Sequence, residues 1–210
     1  MFVPGSLAMV AMGLLMSTSS ADDSALYAPA PPPGSAFVRV LQAGPQAADG
    51  AVGKSSVGTV AVGEASEYIV VPQGEVSVKS GAAAHPVTVE ASKYYSVAVH
   101  SGAPVTFTDT APSSANKAVV AVYNLSTAAS VSLTTADGSV AIVSDIAPGK
   151  SGHRELNALA VPLVVSGPSG TVEELGERVL ERGSAYSVIV TGQGDALTAS
   201  WSAARTRPLR

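Results

Sequence analysis

The 210-residue sequence contains no cysteine, and this absence excludes disulfide bonds, thiolate metal sites and cysteine nucleophiles. Its three histidines, His85, His100 and His153, are scattered over both halves of the chain and lack the spacing of a zinc site. The acidic residues form no Asp-x-Asp calcium loop. We therefore expect neither a metal site nor another cofactor.

Charged residues are also scarce, at 13% of the chain, and the formal net charge is −4. No basic stripe occurs between residues 22 and 200, so nucleic-acid binding is not expected, because it requires clustered Lys and Arg. Three arginines do gather at the C-terminal end, namely Arg205, Arg207 and Arg210. A frayed, solvated tail over residues 205–210 is the favoured interpretation, and docking on an acidic partner is the alternative.

No apolar run is long enough to form a permanent membrane span, because the longest, Leu7 to Met16, is a block of ten residues. The small residues Ser19, Ser20 and Ala21 follow it and suit signal peptidase. We predict a cleaved signal peptide over residues 1–21 and a periplasmic location, although the leader carries no Lys or Arg.

Residues 22–34 contain four prolines, which favour an extended polyproline-like arm. Tyr27 lies in this arm beside Leu26. An apolar pair in this position packs on the body of the protein or is buried by a partner, and the sequence leaves both possibilities open.

Val, Thr, Ser, Ala and Gly dominate the composition and favour strands and tight turns. A phrase is repeated, as YYSVAVHSG from Tyr94 and as YSVIVTGQG from Tyr186, with Tyr95 and Tyr186 91 positions apart. Val38 and Val120 align at an offset of 82. The repeat predicts an all-β chain with two tandem antiparallel β-sandwich domains, at residues 35–111 and 116–204, joined by a linker near Pro112.

Period-two alternation predicts which side chains point into the two cores. Tyr95, Val97 and Val99 share one face of their strand, as do Tyr186, Val188 and Val190. Phe37 and Phe107 are also expected inside. The segment TVEELGERVLER, from Thr171, is ambiguous, and we favour a strand at Val179 to Glu181 and allow a helical turn before it.

The motifs that could carry catalysis are incomplete. DGAVGKSS resembles a phosphate-binding loop, but position 48 is Ala where that motif requires Gly. No serine lies in a Gly-x-Ser-x-Gly elbow, and a Ser-His-Asp set would have to be assembled between the domains. We therefore expect a protein that is not an enzyme.

Two kinds of binding residue remain as candidates. Tyr94 and Trp201 could form an aromatic platform for a sugar ring, although core or rim packing is the commoner role of such residues. Arg154 and Asn157, in the turn-rich segment GHRELN, could bind a partner's carboxylate or satisfy loop carbonyls of the chain itself.

Several phrases occur together in an order that resembles the AlgF family of alginate O-acetylation proteins. They are ALYAPAPPPGSAFVRV, VAVYNLS, TADGS, APGKSGHRELNALAVPLVV and ERVLERGSAYSVIVTG. Each is a short strand-and-turn phrase, so specificity comes from their shared order over nearly the whole mature chain.

The resemblance implies a periplasmic protein with two β-sandwich domains and no known catalytic residue. It implies an adaptor in O-acetylation of an exopolysaccharide, with alginate as the polymer and a cellulose acetylation system as the related case. Its partners would be the periplasmic O-acetyltransferases and the membrane-bound acyltransferase that delivers acetyl groups. Tyr27, Arg39, Arg154 and Asn157 are the residues expected to contact partners. The alternative function is a carbohydrate-binding module that holds the polysaccharide directly.

Overall fold

The structure is a computed structural model that describes residues 30–99 and 104–209. The predicted signal peptide, Tyr27 and His100 lie outside the described residues. The described part of the chain is built from strands and turns, without a helix. The strands of the first half are β1 (Ser35–Gln42), β2 (Ala48–Val52), β3 (Ser55–Val60), β4 (Ile69–Pro72), β5 (Gly74–Ser80), β6 (Ala83–Val89), β7 (Tyr94–Val99) and β8 (Val105–Asp109).

The second half repeats this series, and its last five strands are longer than their counterparts. The strands of the second half are β9 (Lys117–Asn124), β10 (Val131–Thr135), β11 (Ala141–Ile146), β12 (Lys150–Asn157), β13 (Ala160–Gly167), β14 (Gly170–Val179), β15 (Ala185–Gln193) and β16 (Ala196–Ala203). The ambiguous segment from Thr171 belongs to strand β14 as far as Val179, so the residues for which we allowed a helical turn are strand. No described strand crosses the predicted linker, which lies between β8 and β9.

Each half forms two four-stranded sheets, and the strand order is the same in both halves. The first half has sheets β4-β1-β7-β8 and β3-β2-β5-β6, and the second has β12-β9-β15-β16 and β11-β10-β13-β14. The predicted all-β tandem sandwich is thus confirmed. Within each half one central pair is parallel, β1 with β7 and β9 with β15, whereas the other pairs are antiparallel.

The repeat found in the sequence is a repeat of strand register. Val38 lies opposite Tyr95 in the first sandwich, and Val120 lies opposite Tyr186 in the second. The offset of 82 therefore relates β1 to β9, the offset of 91 relates β7 to β15, and both copies form the same parallel pair in the same register. The extra residues of the second copy lie between its paired strands and leave this register unchanged.

The predicted inward faces are confirmed. Tyr95, Val97 and Val99 belong to the core of the first sandwich. The equivalent residues of β15, Tyr186, Val188 and Val190, belong to the core of the second. Phe37 is different from the prediction, because it lies on the opposite face of β1 from Val38, is half-buried and stacks on Tyr94.

The repeated tyrosine has the same hydrogen bond in both sandwiches. The Tyr95 hydroxyl accepts a bond from the backbone N–H of Glu90 at 3.1 Å, and the Tyr186 hydroxyl accepts one from Glu181 at 2.9 Å. A buried phenol needs a polar partner, and the turn before the strand has an N–H to satisfy. This pairing resembles the tyrosine corner of immunoglobulin-like sandwiches and accounts for the five-residue spacing that the two copies share, since the donor is the backbone N–H of the Glu.

We expected a frayed C-terminal tail, but the tail is hydrogen-bonded to the first sandwich. The N–H of Tyr68 donates to the carbonyl of Arg205 at 2.8 Å, and the N–H of Arg207 donates to the carbonyl of Tyr68 at 2.9 Å. The tail thus crosses from the second sandwich to the first, because an extended backbone can satisfy its polar groups on the free edge beside β4.

The turn before each repeated tyrosine offers a test of the shared geometry. Ser92 and Gly183 occupy equivalent positions, three residues before their tyrosines, and have φ angles of 63° and 71°. A side chain is strained in this left-handed region, so Ser92→Gly should raise the free energy of unfolding by roughly 0.5 kcal/mol, as measured by urea denaturation. Ser77→Gly, on exposed strand β5, is the control and should lower it. Equal effects of the two changes would contradict the prediction.

Candidate functional site at the domain junction

The two sandwiches meet through their β1- and β9-containing sheets, which we call the inner sheets. A third apolar cluster lies between them, formed by Leu41, Ala98, Phe107, Tyr123 and Ile189. The loop between β3 and β4 adds a contact, since the Ser200 hydroxyl donates to the carbonyl of Gly63. Strand β7, apart from Tyr94, is therefore buried on both faces, one in its own core and one at the junction.

Arg39 lies inside this junction and is only 1% exposed. Its Nε donates to the Ser96 hydroxyl at 2.7 Å, and its Nη2 donates to the Ser187 hydroxyl at 2.8 Å. Ser96 and Ser187 are the same position of the repeat, 91 residues apart, so each sandwich provides one acceptor. Nη2 also donates to the Tyr123 hydroxyl at 3.1 Å, which ties the guanidinium more strongly to the second sandwich.

Asp109 completes the network from the end of β8. Its carboxylate accepts bonds from the hydroxyls of Tyr68 at 2.6 Å, Ser96 at 2.5 Å and Tyr123 at 2.5 Å. Ser96 and Tyr123 thus each accept a bond from Arg39 and donate one to Asp109. The two opposite charges are linked by hydroxyl groups, and this arrangement offsets the cost of burying them.

The guanidinium also lies over an aromatic ring. The Cζ atom of Arg39 is 4.5 Å from the centroid of the Tyr68 ring, which is cation–π geometry. The remaining nitrogen, Nη1, has no hydrogen-bond partner among the described residues. The charge is therefore held by three hydroxyls, the rings of Tyr68 and Tyr123 and a nearby carboxylate.

The two phenols and the guanidinium of the network stay protonated at neutral pH, which favours the hydrogen bonds that they donate. Burial raises the pKa of Tyr123 to about 12, despite the opposing effect of Arg39. Burial likewise raises the pKa of Tyr68 far above its ordinary value. Burial lowers the pKa of Arg39, but Tyr123, Tyr68 and Asp109 raise it more, so this pKa is above the ordinary value. At neutral pH both phenols keep the protons that they donate to Asp109.

Two clefts open beside the network and share Ser184, Ala185 and Ala204. The first has a volume of about 240 Å³ and is lined by Tyr68, Tyr94 and Asp109 as well as by the linker. The second has a volume of about 290 Å³ and reaches Val179, Glu181 and Arg205. We call the two together the junction groove.

The residues predicted to contact partners are not brought together. Arg39 is enclosed by the two inner sheets, so its contacts are within the chain. Arg154 and Asn157 are exposed on strand β12, where Nη1 of Arg154 donates to the carbonyl of Ala141 at 2.6 Å and the Asn157 side chain accepts a bond from Lys117 at 2.8 Å. Tyr27 lies outside the described residues.

The two aromatic residues predicted as a sugar platform face different parts of the molecule. Tyr94 is half-exposed at the junction groove, stacked on Phe37 with centroids 4.2 Å apart. Trp201 packs against the second core and stacks on Tyr186, with centroids 5.0 Å apart. They do not form one surface.

Sequence analysis missed Tyr68, Asp109, Tyr123 and the two buried serines. The signal that could have found them was Arg39 itself, a charged residue in a strand whose other side chains are mostly apolar. A charge in such a position requires partners on the facing sheet.

Two further observations concern metal ligands and membrane-spanning helices. Within residues 30–99 and 104–209, no group of three or more His, Asp or Glu side chains could hold a metal ion. In the same ranges there is no helix with the length and apolar character needed to cross a membrane.

The fold and site together define a tandem β-sandwich protein whose buried polar side chains join its two domains. Residues 9–187 match the family model described as alginate O-acetyl transferase AlgF. The alginate biosynthesis protein AlgF of Pseudomonas aeruginosa is 34% identical over 193 residues, which cover 91% of this chain and 89% of the relative. That of Pseudomonas syringae pv. tomato is 34% identical over 191 residues, covering 90% and 86%. The chain belongs to the AlgF family.

Two solved structures are also similar, both of single domains of AlgF from P. aeruginosa. The C-terminal domain is 38% identical with a TM-score of 0.39, covering 42% of this chain and 98% of that one. The N-terminal domain is 31% identical with a TM-score of 0.34, covering 38% and 98%.

The buried guanidinium predicts a large loss of stability on truncation. Arg39→Ala should lower the free energy of unfolding by about 3–5 kcal/mol, because it leaves the Asp109 carboxylate without its compensating charge. Urea denaturation followed by Trp201 fluorescence, which reports on the other sandwich, measures whether the loss crosses the junction. Arg154→Ala, on an exposed strand, is the control and should change stability by less than about 0.5 kcal/mol. Equal stability of the two variants would contradict the role of Arg39.

The raised phenol pKa values predict loss of stability at alkaline pH. A phenol with a raised folded-state pKa contributes stability below its unfolded pKa of about 10, and this stability is lost as pH rises through the folded pKa. We expect the free energy of unfolding to fall between pH 10 and the folded-state pKa of Tyr123, about 12. Parallel measurements on Tyr123→Phe should give a shallower fall, whereas Tyr94→Phe, at a phenol whose pKa partial burial raises less, should change the slope less. A fall unaffected by Tyr123→Phe would exclude Tyr123 as its source.

Proposed function

We propose that this protein is a non-enzymatic periplasmic adaptor in O-acetylation of an exopolysaccharide, with alginate as the polymer. It links the membrane-bound acyltransferase that delivers acetyl groups to the periplasmic O-acetyltransferases. Membership of the AlgF family supports a role in alginate biosynthesis and acetylation. The observation that carries the adaptor role is the sealed junction, which makes a rigid body of two sandwiches.

The serine best placed for chemistry is poorly suited to it. Ser96 donates to Asp109, but it is fully buried and also accepts a bond from Arg39. A catalytic serine requires a base that removes its proton and space for an acyl group beside it. In the described residues its partners are a guanidinium and a carboxylate that serve the junction. These contacts favour a structural role for the network.

The sealed inner sheets restrict where partners can bind. The remaining surfaces are the outer sheets, the strand edges and the junction groove. Leu159 and Val179 are exposed by 46% and 65% and lie near each other, since Val179 pairs with Ala160. Val179 also lines the groove, so this end of the second sandwich presents apolar surface of the kind that partners cover. Arg154 and Asn157, on exposed strand β12, stay candidates for partner contacts.

Direct binding of polysaccharide is the second candidate. Tyr94 is half-exposed beside the Asp109 carboxylate in the junction groove, and an aromatic face next to an acceptor is suited to a sugar. Alginate carries a carboxylate on every sugar, whereas this chain has a net charge of −4 and Asp109 lines the cleft. Repulsion between these charges favours the adaptor.

A deletion strain tests the adaptor. Loss of the gene should remove acetyl esters from the polymer, because the link between acetyl delivery and acetyl transfer is lost. Polymer yield should be kept, because the protein does not make the chain. Leu159→Asp should restore acetylation poorly in this strain and should reduce capture of the O-acetyltransferase by the purified protein. Val140→Asp, at a residue also 46% exposed, is the matched control and should restore it fully.

Three results would count against the proposal. Normal acetylation in the deletion strain would exclude a role in the pathway. Hydrolysis of a chromogenic acetyl ester by the pure protein, lost on a single serine substitution, would make it an enzyme. Binding of polymer oligosaccharides that Tyr94→Ala abolishes, without capture of an acetyltransferase, would favour the carbohydrate-binding module.

A further inference from the structure

The C-terminal tail occupies a groove on the first sandwich. Thr206 forms a parallel bridge with Tyr68, and the main-chain bonds of Tyr68 to Arg205 and Arg207 flank this bridge. The tail thus lies against the first sandwich as a short added strand, where Tyr68 leads into strand β4. A free sheet edge accepts an extended segment in this way.

The side chains of the tail alternate as in a strand. Arg207 and Leu209 are half-buried, whereas the residues beside them, Thr206 and Pro208, are exposed. The anchors of the tail are therefore an arginine and an aliphatic residue two positions later. This period of two is how an added strand presents its side chains to one surface.

The first sandwich has a matching surface for these anchors. The Nε atom of Arg207 is 3.2 Å from a Glu67 carboxylate oxygen, and its Nη1 donates to the carbonyl of Ser56 at 2.7 Å. Beside them, Ser55, Ile69 and Val70 line a cleft of about 230 Å³ with Pro208 and Leu209. We call the surface formed by Ser55, Ser56, Glu67, Tyr68, Ile69 and Val70 the tail groove.

The tail is held by few contacts. The main chain of the tail is held by the two bonds to Tyr68, and the Arg207 and Glu67 side chains of the ion pair are 38% and 45% exposed. Exposed ion pairs contribute little because water and salt screen them. A competing segment needs to replace these contacts, the bond from Arg207 to Ser56 and the packing of Leu209 in the cleft.

We propose that the tail groove is a strand-addition site for a partner protein, and that the C-terminal tail occupies it in the free protein. It accepts an extended segment with an arginine followed two residues later by an aliphatic residue. The carboxylate of Glu67 selects the positive charge, the main chain of Tyr68 pairs with the segment, and the Ile69–Val70 cleft takes the aliphatic side chain. That the occupant is a partner protein rests on the adaptor function.

The tail then acts as a competitor inside the same molecule. A tethered segment has a high effective concentration, so an external segment binds the intact chain more weakly than a chain whose tail is displaced. Occupation of the groove by a partner would leave the tail, with its three arginines, free of the first sandwich.

A labelled peptide with the sequence of residues 205–210, RTRPLR, tests the site by fluorescence anisotropy. Arg207→Glu in the full chain places two carboxylates together and should release the tail, so the peptide should bind this variant at least several-fold more tightly than the wild type. A scrambled peptide of the same composition controls for attraction between a basic peptide and an acidic protein. Equal binding of the two peptides would overturn the proposal.

Further variants locate the binding. In a chain that ends at Ala204, Glu67→Lys should reduce peptide affinity several-fold, whereas Glu75→Lys, the same change at an exposed site on β5, should leave it unchanged. A chain that ends at Ala204 provides a second way to free the groove and should bind the peptide as Arg207→Glu does. If neither variant binds more tightly than the intact chain, the proposal is wrong. These results are independent of acetylation, so the adaptor function can fail or hold separately.

Discussion

The structure depends on how one buried guanidinium is satisfied. Arg39 has no direct ion pair with Asp109 among the described residues, and the hydroxyls of Ser96 and Tyr123 stand between them, each accepting from the arginine and donating to the carboxylate. Separation of the two sandwiches would remove Tyr123 and Ser187 from Arg39 and expose the apolar cluster around them. The charge therefore makes the junction specific, while the apolar residues provide the favourable burial.

The duplicated sheets meet through faces that have become different. Ser96 and Ser187 keep the same residue at the same position, but the counterpart of Arg39 is Ala121, and the counterpart of Tyr123 is Leu41. The first copy thus contributes the guanidinium, and the second contributes the phenol that accepts a hydrogen bond from it. Two identical faces would bring two arginines together, and the repulsion between them would be costly in a buried site. The difference between the copies makes their pairing favourable within one chain.

The sequence predicted the sandwiches better than the junction, for a physical reason. Alternation shows that two faces of a strand differ, and Tyr95, Val97 and Val99 are apolar enough to identify the core. The other face of β7 carries Ser96 and Ala98, small residues that suit a packed interface or solvent equally well. Arg39 was predicted to contact a partner protein, but the groups that bind it come from the other sandwich, from Ser96 and from Asp109 at a strand end, and no local pattern connects such distant positions.

A fixed junction has a consequence for a protein that binds two partners. An adaptor with freely jointed domains loses orientational freedom when both partners bind, and this loss weakens the second binding step. In this chain the Arg39 network has already removed that freedom during folding. The same burial takes both faces of the inner sheets out of use, which leaves the edges, the outer sheets and the grooves beside the junction for the partners of the proposed adaptor. The tail adds to this arrangement, because it crosses between the sandwiches and forms part of the junction groove through Ala204 and Thr206. A partner that displaced the tail would therefore also alter the wall of the neighbouring groove, which couples the two surfaces through one segment of chain.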